Sequence, residues 1–299
     1  MNIIKKRNWF FAISLLIIIP GVIAFSIWGL RLGIDFAGGT LWEIKFIQAG
    51  QVDPENIKTL LSTDNTDISS VAATNSNSVL IRMKVSDEQK IIDLKSKVAS
   101  NFGQVEDIRL ETVGPVISKE LTTKALLAVA ISIIAIVLYI TWAFRSVPKP
   151  TSSLSFGLCT IVALVHDVIV VIGIFAILGH FWQIEVDSLF ITSLLTVIGF
   201  SVHDTIVVFD RIRENLKKHS DVSFEEIVNH SIIQTLARSL NTSLTVVLVL
   251  LALFLFGGDS IKTFVLALLI GIISGTYSSI LNAAPLLVTW QNFIAKIKR

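Results

Sequence analysis

Six long apolar stretches punctuate the chain, at roughly residues 9–29, 125–144, 153–178, 188–209, 239–256 and 263–289. Each reaches the ~20 residues that a helix needs to cross a hydrocarbon core of ~30 Å, and several are long enough to tilt. Between the first and second, residues 31–124 are polar and follow a different rhythm. Leu41 to Phe46 alternates as a strand, and Asp53-Pro54-Glu55 opens a helix with proline at its start and an acidic first turn. Ile68 to Thr74 and Val79 to Val85 read as strands about the turn Asn75-Ser76-Asn77. Ser86-Asp87-Glu88-Gln89 has the form of a capping box for a helix running to about Asn101, and Val105 to Val113 is a last strand. The order β-α-β-β-α-β predicts a ferredoxin-like α+β domain. The expected architecture is a polytopic α-helical membrane protein of six transmembrane helices, with that domain inserted after the first. Its parts are residues 1–30, 31–124 and 125–299.

Composition agrees with the pattern. Of 299 residues, 53% are hydrophobic and 16% charged, against roughly 25% charged in soluble domains, and the mean hydropathy is +0.73. The formal charge of +2 is too small to suggest a nucleic-acid partner. Basic residues gather beside particular spans instead: Lys5, Lys6 and Arg7 before the first, Arg145 and Lys149 after the second, Arg211, Arg213, Lys217 and Lys218 after the fourth, and Lys296, Lys298 and Arg299 at the end. The positive-inside rule makes these segments cytoplasmic, so both termini are expected inside and residues 31–124 outside the membrane. The first stretch is too long for a signal peptide and lacks an A-x-A site, so it is expected to stay as a span. The polar stretch 211–235, with Ile227, Ile232 and Ile233 on a weak stripe, reads either as an interfacial helix or as a solvated connector. Cys159 stands alone within an apolar run, which leaves no disulfide or thiolate metal site within the chain.

The chemistry is in the ionisable residues inside the spans. A carboxylate near a helix centre costs about 2.5–3.5 kcal/mol on insertion scales, so it survives facing protein or water. Asp204 sits near the cytoplasmic end of span four, with Ser201, Thr196 and Ser193 stepping back along its face. Arg238, Asn241, Thr242 and Thr245 recur at i, i+3, i+4 and i+7 on span five and enter from the same side. An arginine that keeps its proton beside a carboxylate that exchanges its own makes a two-state switch; a static ion pair joining the two spans is the alternative. Val165-His166-Asp167-Val168-Ile169-Val170-Val171 is echoed at Val202-His203-Asp204-Thr205-Ile206-Val207-Val208, one difference in seven. Asp167 has no evident cationic partner, and its role is open between path and packing. His166 and His203 are relays or interhelical hydrogen-bonding groups, and no third ligand clusters with them for a metal. Gly271, Gly275 and Ser278 line span six at helical spacing and suit close helix packing. Gly33, Asp35, Gly38 and Gly39 lie in a glycine-rich turn between span one and the first strand; no Gly-Lys-Ser/Thr follows, so it is not a phosphate loop.

These residues carry a resemblance. Gly33 to Thr40 resembles the glycine-rich motif, and Asp204-Thr205-Ile206-Val207-Val208-Phe209-Asp210-Arg211-Ile212-Arg213-Glu214-Asn215 the span-four signature, of the SecF family of bacterial Sec protein translocase subunits, relatives of the resistance-nodulation-division transporters. The resemblance covers the whole chain. It implies that Asp204 is a proton-pathway aspartate and that Arg238, in Gln234-Thr235-Leu236-Ala237-Arg238-Ser239, is an essential arginine. Asp167, His203, Ser201, Asn241 and Thr242 would support them, His203 standing where the family commonly has asparagine. It further implies a protein-export role with SecD, SecYEG and YajC as partners, translocating polypeptides as clients, no metal or cofactor, no enzymatic reaction, and a swing of the outer domain about Gly38-Gly39. SecD would contribute a further aspartate near Asp204. The rival readings are a half-size proton-driven exporter of small molecules or lipids and a non-conducting membrane scaffold. An intramembrane hydrolase is weaker, since only Ser201 and Asp204 would supply nucleophile and base.

Overall fold

In a computed structural model of the protein, residues 2–47, 53–62, 67–75, 77–84, 87–219 and 221–297 are described. Ser76, Val85, Ser86, Lys298 and Arg299, used above for a turn, a strand end, a cap and the C-terminal charge, lie outside them. Two compact units result, Met1–Arg31 with Leu126–Arg299, and Leu32–Ala125.

The smaller unit is built on β1 (Gly39–Phe46), β2 (Ile68–Asn75), β3 (Ser78–Met83) and β4 (Val105–Val113), in the antiparallel order β2-β3-β1-β4. With α3 (Pro54–Ser62) and α4 (Glu88–Phe102) inserted between strands, this is the ferredoxin-like arrangement. Alternation on β1 buries Trp42, Ile44 and Phe46 completely, against Ile57 and Leu61 of α3, Leu94 and Val98 of α4, and Ile81 of β3. Asp87 caps α4 by accepting from the Gln89 amide at 3.1 Å. One element was not expected: the single turn α2 (Ile34–Ala37) inside the glycine-rich motif. Gly38 and Gly39 follow it at φ +72° and +117°, values that L side chains rarely adopt. A Cβ on Gly39 would lie 2.5 Å from the Met83 carbonyl oxygen. The pair is thus packed within the smaller unit, and the chain enters that unit earlier, at Arg31–Leu32.

The larger unit is helical. A single turn at Ile4–Lys6 leads into α1 (Arg7–Trp28), followed after the inserted domain by α5 (Pro115–Ala143), α6 (Ser153–Trp182), α7 (Ser188–Lys218), α8 (Phe224–Phe256), α9 (Asp259–Ser278) and α10 (Ala284–Ile297). Six helical spans, counting α9 and α10 together, are long and apolar enough to cross a membrane. Ser152, Asp187 and Ser223 cap α6, α7 and α8 through their side chains. Where helices cross closely, glycine makes room: a Cβ on Gly21 of α1 would come within 2.9 Å of Gly173 Cα on α6, and one on Gly275 of α9 within 3.0 Å of Ser201 Cβ on α7. The aromatic centre is Phe144, Phe156 and Phe209, with Phe156 and Phe209 edge to face at 4.8 Å.

Residues 211–235 are neither an interfacial helix nor a connector. They are the continuation of α7 to Lys218 and the start of α8 at Phe224, with only a short turn between. Ile212, Leu216, Ile227 and Ile232 are buried in this hairpin, and Asn215 Nδ2 donates to Ser231 Oγ at 2.9 Å. Their burial explains the failed reading: the stripe was weak because half of the apolar set lies on the partner helix. Span two likewise begins at Pro115, ten residues before the apolar run. Span six is interrupted by a π turn at Ser279–Ala283, a feature that often marks functional positions.

Candidate functional site

Among the described residues, Asp204 and Asp167 are the two carboxylates buried in the spans, at 2% and 1% exposure. Their surroundings differ. Asp167 Oδ2 accepts from Ser201 Oγ at 2.6 Å and Ser278 Oγ at 2.7 Å, while Oδ1 accepts from Ser274 Oγ at 2.8 Å and faces His166 Nδ1 at 3.0 Å. Three hydroxyl donors from two other helices, and the imidazole of the preceding residue, surround one carboxylate. Asp204 has less. Its Oδ2 meets Ser243 Oγ at 3.2 Å and Thr276 Oγ1 at 3.5 Å. The single Thr276 proton has better acceptors, Ser243 Oγ at 2.7 Å and the Ile272 carbonyl at 2.9 Å. Asp204 is thus left with one long hydrogen bond and open lone pairs.

The two sites are wired through α7 and α9. Ser201 and Asp204 are three residues apart on α7, while Ser274 and Ser278 bracket Thr276 on α9, so each helix serves both carboxylates. Thr205 Oγ1 donates to Ser279 Oγ at 2.9 Å, and Ser279 Oγ donates to the Ser201 carbonyl at 3.0 Å, so the π turn is tied to the same seam. Further round, Asn282 Nδ2 donates to Ser14 Oγ at 2.7 Å and the Tyr277 hydroxyl to the Phe10 carbonyl at 2.7 Å, which fastens α1.

The expected Asp204–Arg238 ion pair is absent among the described residues. Arg238 is exposed on the outside of the bundle, together with Asn241, Thr242 and Thr245. By the helical rise Asp204 is ~24 Å along α7 from Ser188, and Arg238 ~27 Å back along α8 from Phe256, at 1.5 Å per residue. Azimuth was misread. The face that α8 turns inward is Ser231, Thr235, Ser239 and Ser243, all buried, offset by about 100° from Arg238. That i, i+4 run of hydroxyls was visible in the sequence and missed, because Arg238 fixed the choice of face. On α7 the proposed stripe also splits: Ser193 and Ser201 point inward, whereas Thr196 and His203 are exposed. His166 bonds to its own neighbour Asp167 and not across helices. Gly271 and Gly275 face Val197 and Ser201 of α7, and Ser278 does more than pack, since it holds Asp167. Gly33 is the residue before α2, and Asp35 lies in its first turn. No group of three or more His, Cys, Asp or Glu positioned to hold a metal occurs among the described residues.

Comparison with known proteins places this arrangement. The family described as protein export membrane protein SecD/SecF, C-terminal, matches residues 93–293, and the SecD/SecF GG motif matches residues 23–46. Protein translocase subunit SecF of Thermobaculum terrenum is 47% identical, the alignment covering 98% of this chain and 94% of that protein. The subunit of the same name from Anaerolinea thermophila is 45% identical with the same coverage. Among solved structures, SecDF from Thermus thermophilus, a translocon-associated membrane protein, superposes with a TM-score of 0.83 at 33% identity over 98% of this chain. This chain spans only 39% of that one, and 38% of the Bacillus subtilis translocase subunit SecDF, to which it is 35% identical.

Proposed function

Because the chain belongs to the SecD/SecF family of protein export membrane proteins, we propose that it is the auxiliary subunit of the Sec export machinery that, with SecD, couples the proton-motive force to polypeptide translocation. The observation that carries this reading is the polar outer face of two membrane-spanning helices beside a buried, loosely held carboxylate. An arginine, an asparagine and two threonines on α8, and Thr196 and His203 on α7, are exposed where a lone chain would meet lipid. Arg238, ~27 Å along α8 from Phe256, stands near the edge of a ~30 Å core, where lipid tolerates it only if its side chain is drawn out to the headgroups, and the asparagine and threonines beyond it have no such outlet. A second membrane subunit covering that face and supplying an acidic partner answers both. In SecDF relatives the remaining length of the chain is available for this role; here SecD would supply it, with an aspartate facing Arg238 and Asp204.

In this mechanism Asp204 takes up and releases the proton, and Arg238 moves between carboxylates of the two subunits as that charge comes and goes. One proton descending ~100 mV releases about 2.3 kcal/mol, so a few protons per cycle suffice to move a domain. The basic flanks give the sidedness: both termini and the α7–α8 hairpin in the cytoplasm, the ferredoxin-like domain outside the inner membrane. That domain has free strand edges at β2 and β4, and β4 exposes Ile108 and Leu110, so an emerging extended chain can add to it. A swing at the unit boundary beside Arg31, rather than at Gly38-Gly39 inside the smaller unit, would carry the held segment outward. SecYEG, with YajC beside it, completes the assembly. The test is export of a secreted reporter in cells depleted of the native protein and carrying wild type, Asp204→Asn or Arg238→Met, each shown to insert. Loss of export in both supports the coupling; normal export in both sinks it and leaves a scaffold subunit.

A further inference from the structure

Span six breaks directly after the hydroxyls that serve the two carboxylates, and the break has an unexplained cost. The π turn at Ser279–Ala283 carries Asn282, whose Nδ2 donates to Ser14 Oγ on α1 at 2.7 Å. Among the described residues its other amide atom, Oδ1, is buried without a hydrogen-bond partner, a loss that packing alone does not return. A π turn holds one residue more than an α-helical turn, and releasing it turns the neighbouring segment by ~100° and moves it by ~1.5 Å. An orphaned acceptor in such a turn fits an element with a second arrangement.

The residues just before the break face two ways. Thr276 Oγ1 lies 2.7 Å from Ser243 Oγ, which lies 3.2 Å from Asp204 Oδ2. Tyr277, the next residue and ~100° further round α9, donates its hydroxyl to the Phe10 carbonyl of α1 at 2.7 Å. Its side chain lines two grooves, one of about 540 Å³ between α1, α8 and α9 and one of about 350 Å³ between α1, α6 and α9. With open space on both sides, Tyr277 is a strut from α9 to α1. Phe10, Ser243 and Thr276 line the larger groove as well, so the contacts leading from Asp204 to α1 border free volume into which they can move.

We propose that Tyr277 and Asn282 are positioning residues that pass the protonation state of Asp204 to α1, with the π turn as the element that shifts. Ionised, Asp204 accepts from Ser243 Oγ, and Ser243 in turn accepts from Thr276. When the carboxylate binds a proton its new O–H donates, Ser243 Oγ receives it, and the Ser243 proton turns to another acceptor. Thr276 then meets an altered partner on α8 while Tyr277 still holds α1. The change is taken up where α9 has a residue to give, at Ser279–Ala283. Tyr277 and Asn282, both bonded to the first half of α1, carry it to the helix from which the chain enters the smaller unit at Arg31–Leu32. Among the described residues, the ionisable groups about Asp204 are His203 on α7 and Asp167 beyond Ser201, while α8 and α9 face it with hydroxyls. The inference rests on the proton-coupling reading of Asp204 and deepens it.

The test uses the full chain with Cys159→Ala, Leu16→Cys and Val249→Cys, nitroxide-labelled at the two exposed positions on α1 and α8 and reconstituted in vesicles. Asp204→Asn, whose amide donates as the protonated carboxyl does, is expected to shift the distance between the labels. Tyr277→Phe removes one oxygen and keeps the ring; it should abolish that shift with a melting temperature near the parent's, and lower export of a secreted reporter severalfold. A merely structural role would lower the melting temperature and leave the shift in place. Ser14→Ala, which frees Asn282, should reduce the shift and decides alone if Tyr277→Phe does not fold. Labels that do not move with Asp204→Asn, a shift that survives undiminished in the folded variants, or wild-type export by Tyr277→Phe where Asp204→Asn exports nothing, overturns the proposal. Export by Asp204→Asn is a separate readout: its loss with unmoved labels removes only the relay, and its retention with a shift that Tyr277→Phe abolishes removes only the export coupling.

Discussion

Ser201 Oγ lies 2.6 Å from Asp167 Oδ2, so the helix that carries Asp204 is hydrogen-bonded to the carboxylate of its own sequence echo. The two Val-His-Asp motifs are adjacent parts of one polar seam with unequal hydrogen bonding, Asp167 saturated and Asp204 open.

That inequality predicts unequal mutants. Ser201→Ala removes one of four donors, and interhelical hydrogen bonds of this kind contribute about 0.6 kcal/mol each, up to about 1.7. The melting temperature of the chain in detergent should fall slightly. Asp167→Ala strands three hydroxyls and His166 Nδ1 at once and should cost several times more, each buried unsatisfied group adding about 1–3 kcal/mol. Equal losses for the two variants would mean that the cage does not act as a unit.

Arg238 should behave in the opposite way. It makes no ion pair with a described residue of this chain, so Arg238→Met is expected to leave the melting temperature of the isolated chain unchanged or raise it, while export in cells is lost. Recovery of SecD with the variant by co-purification should fall. A large destabilisation of the isolated chain would place the guanidinium inside the bundle instead.

Gly275 tests the α7–α9 contact. A side chain there meets Ser201 at the Cβ, and overpacking of a close contact costs about 1–3 kcal/mol. Gly275→Leu should therefore lower the melting temperature more than Gly199→Leu, since a Cβ on Gly199 meets nothing within 4 Å. Comparable effects at the two positions would show that helix propensity, and not the crossing, sets the cost.

The outer domain has its own pH dependence. Burial pushes the Asp107 carboxyl up, but hydrogen bonds from Lys95 and from Trp42 Nε1 at 2.9 Å, with the Lys95 charge, outweigh it and hold the group below its ordinary range. A depressed carboxyl stabilises the fold above its unfolded value of ~3.9, and the contribution is lost as pH falls through the lower folded value. The protection factors of the β1 and β4 amides in the whole chain, referred to the intrinsic exchange rate at each pH, should fall on acidification below about pH 4, and Asp107→Asn should remove that part of the acid response. An unchanged profile in the variant would assign the acid sensitivity to other carboxylates.

Much of this protein was legible in its sequence because membrane spans and a ferredoxin-like domain are written in local periodicities. Twenty apolar residues must become a helix in lipid, and alternating residues such as Trp42, Ile44 and Phe46 must share one face of a strand, whatever surrounds them. That Asp204 and Arg238 lie on consecutive helices followed from the pattern of apolar runs. Which way each helix is turned did not. A helix carrying Arg238 on one side and Ser231, Thr235, Ser239 and Ser243 on another has two polar faces, and only packing against α7 and α9 decides which is inside. Asp167 had no visible partner in the sequence because its partners are hydroxyls on two other helices, tens of residues away. The tertiary structure made the cage around Asp167 and put Arg238 on the outside, separating what local pattern had presented as a buried pair.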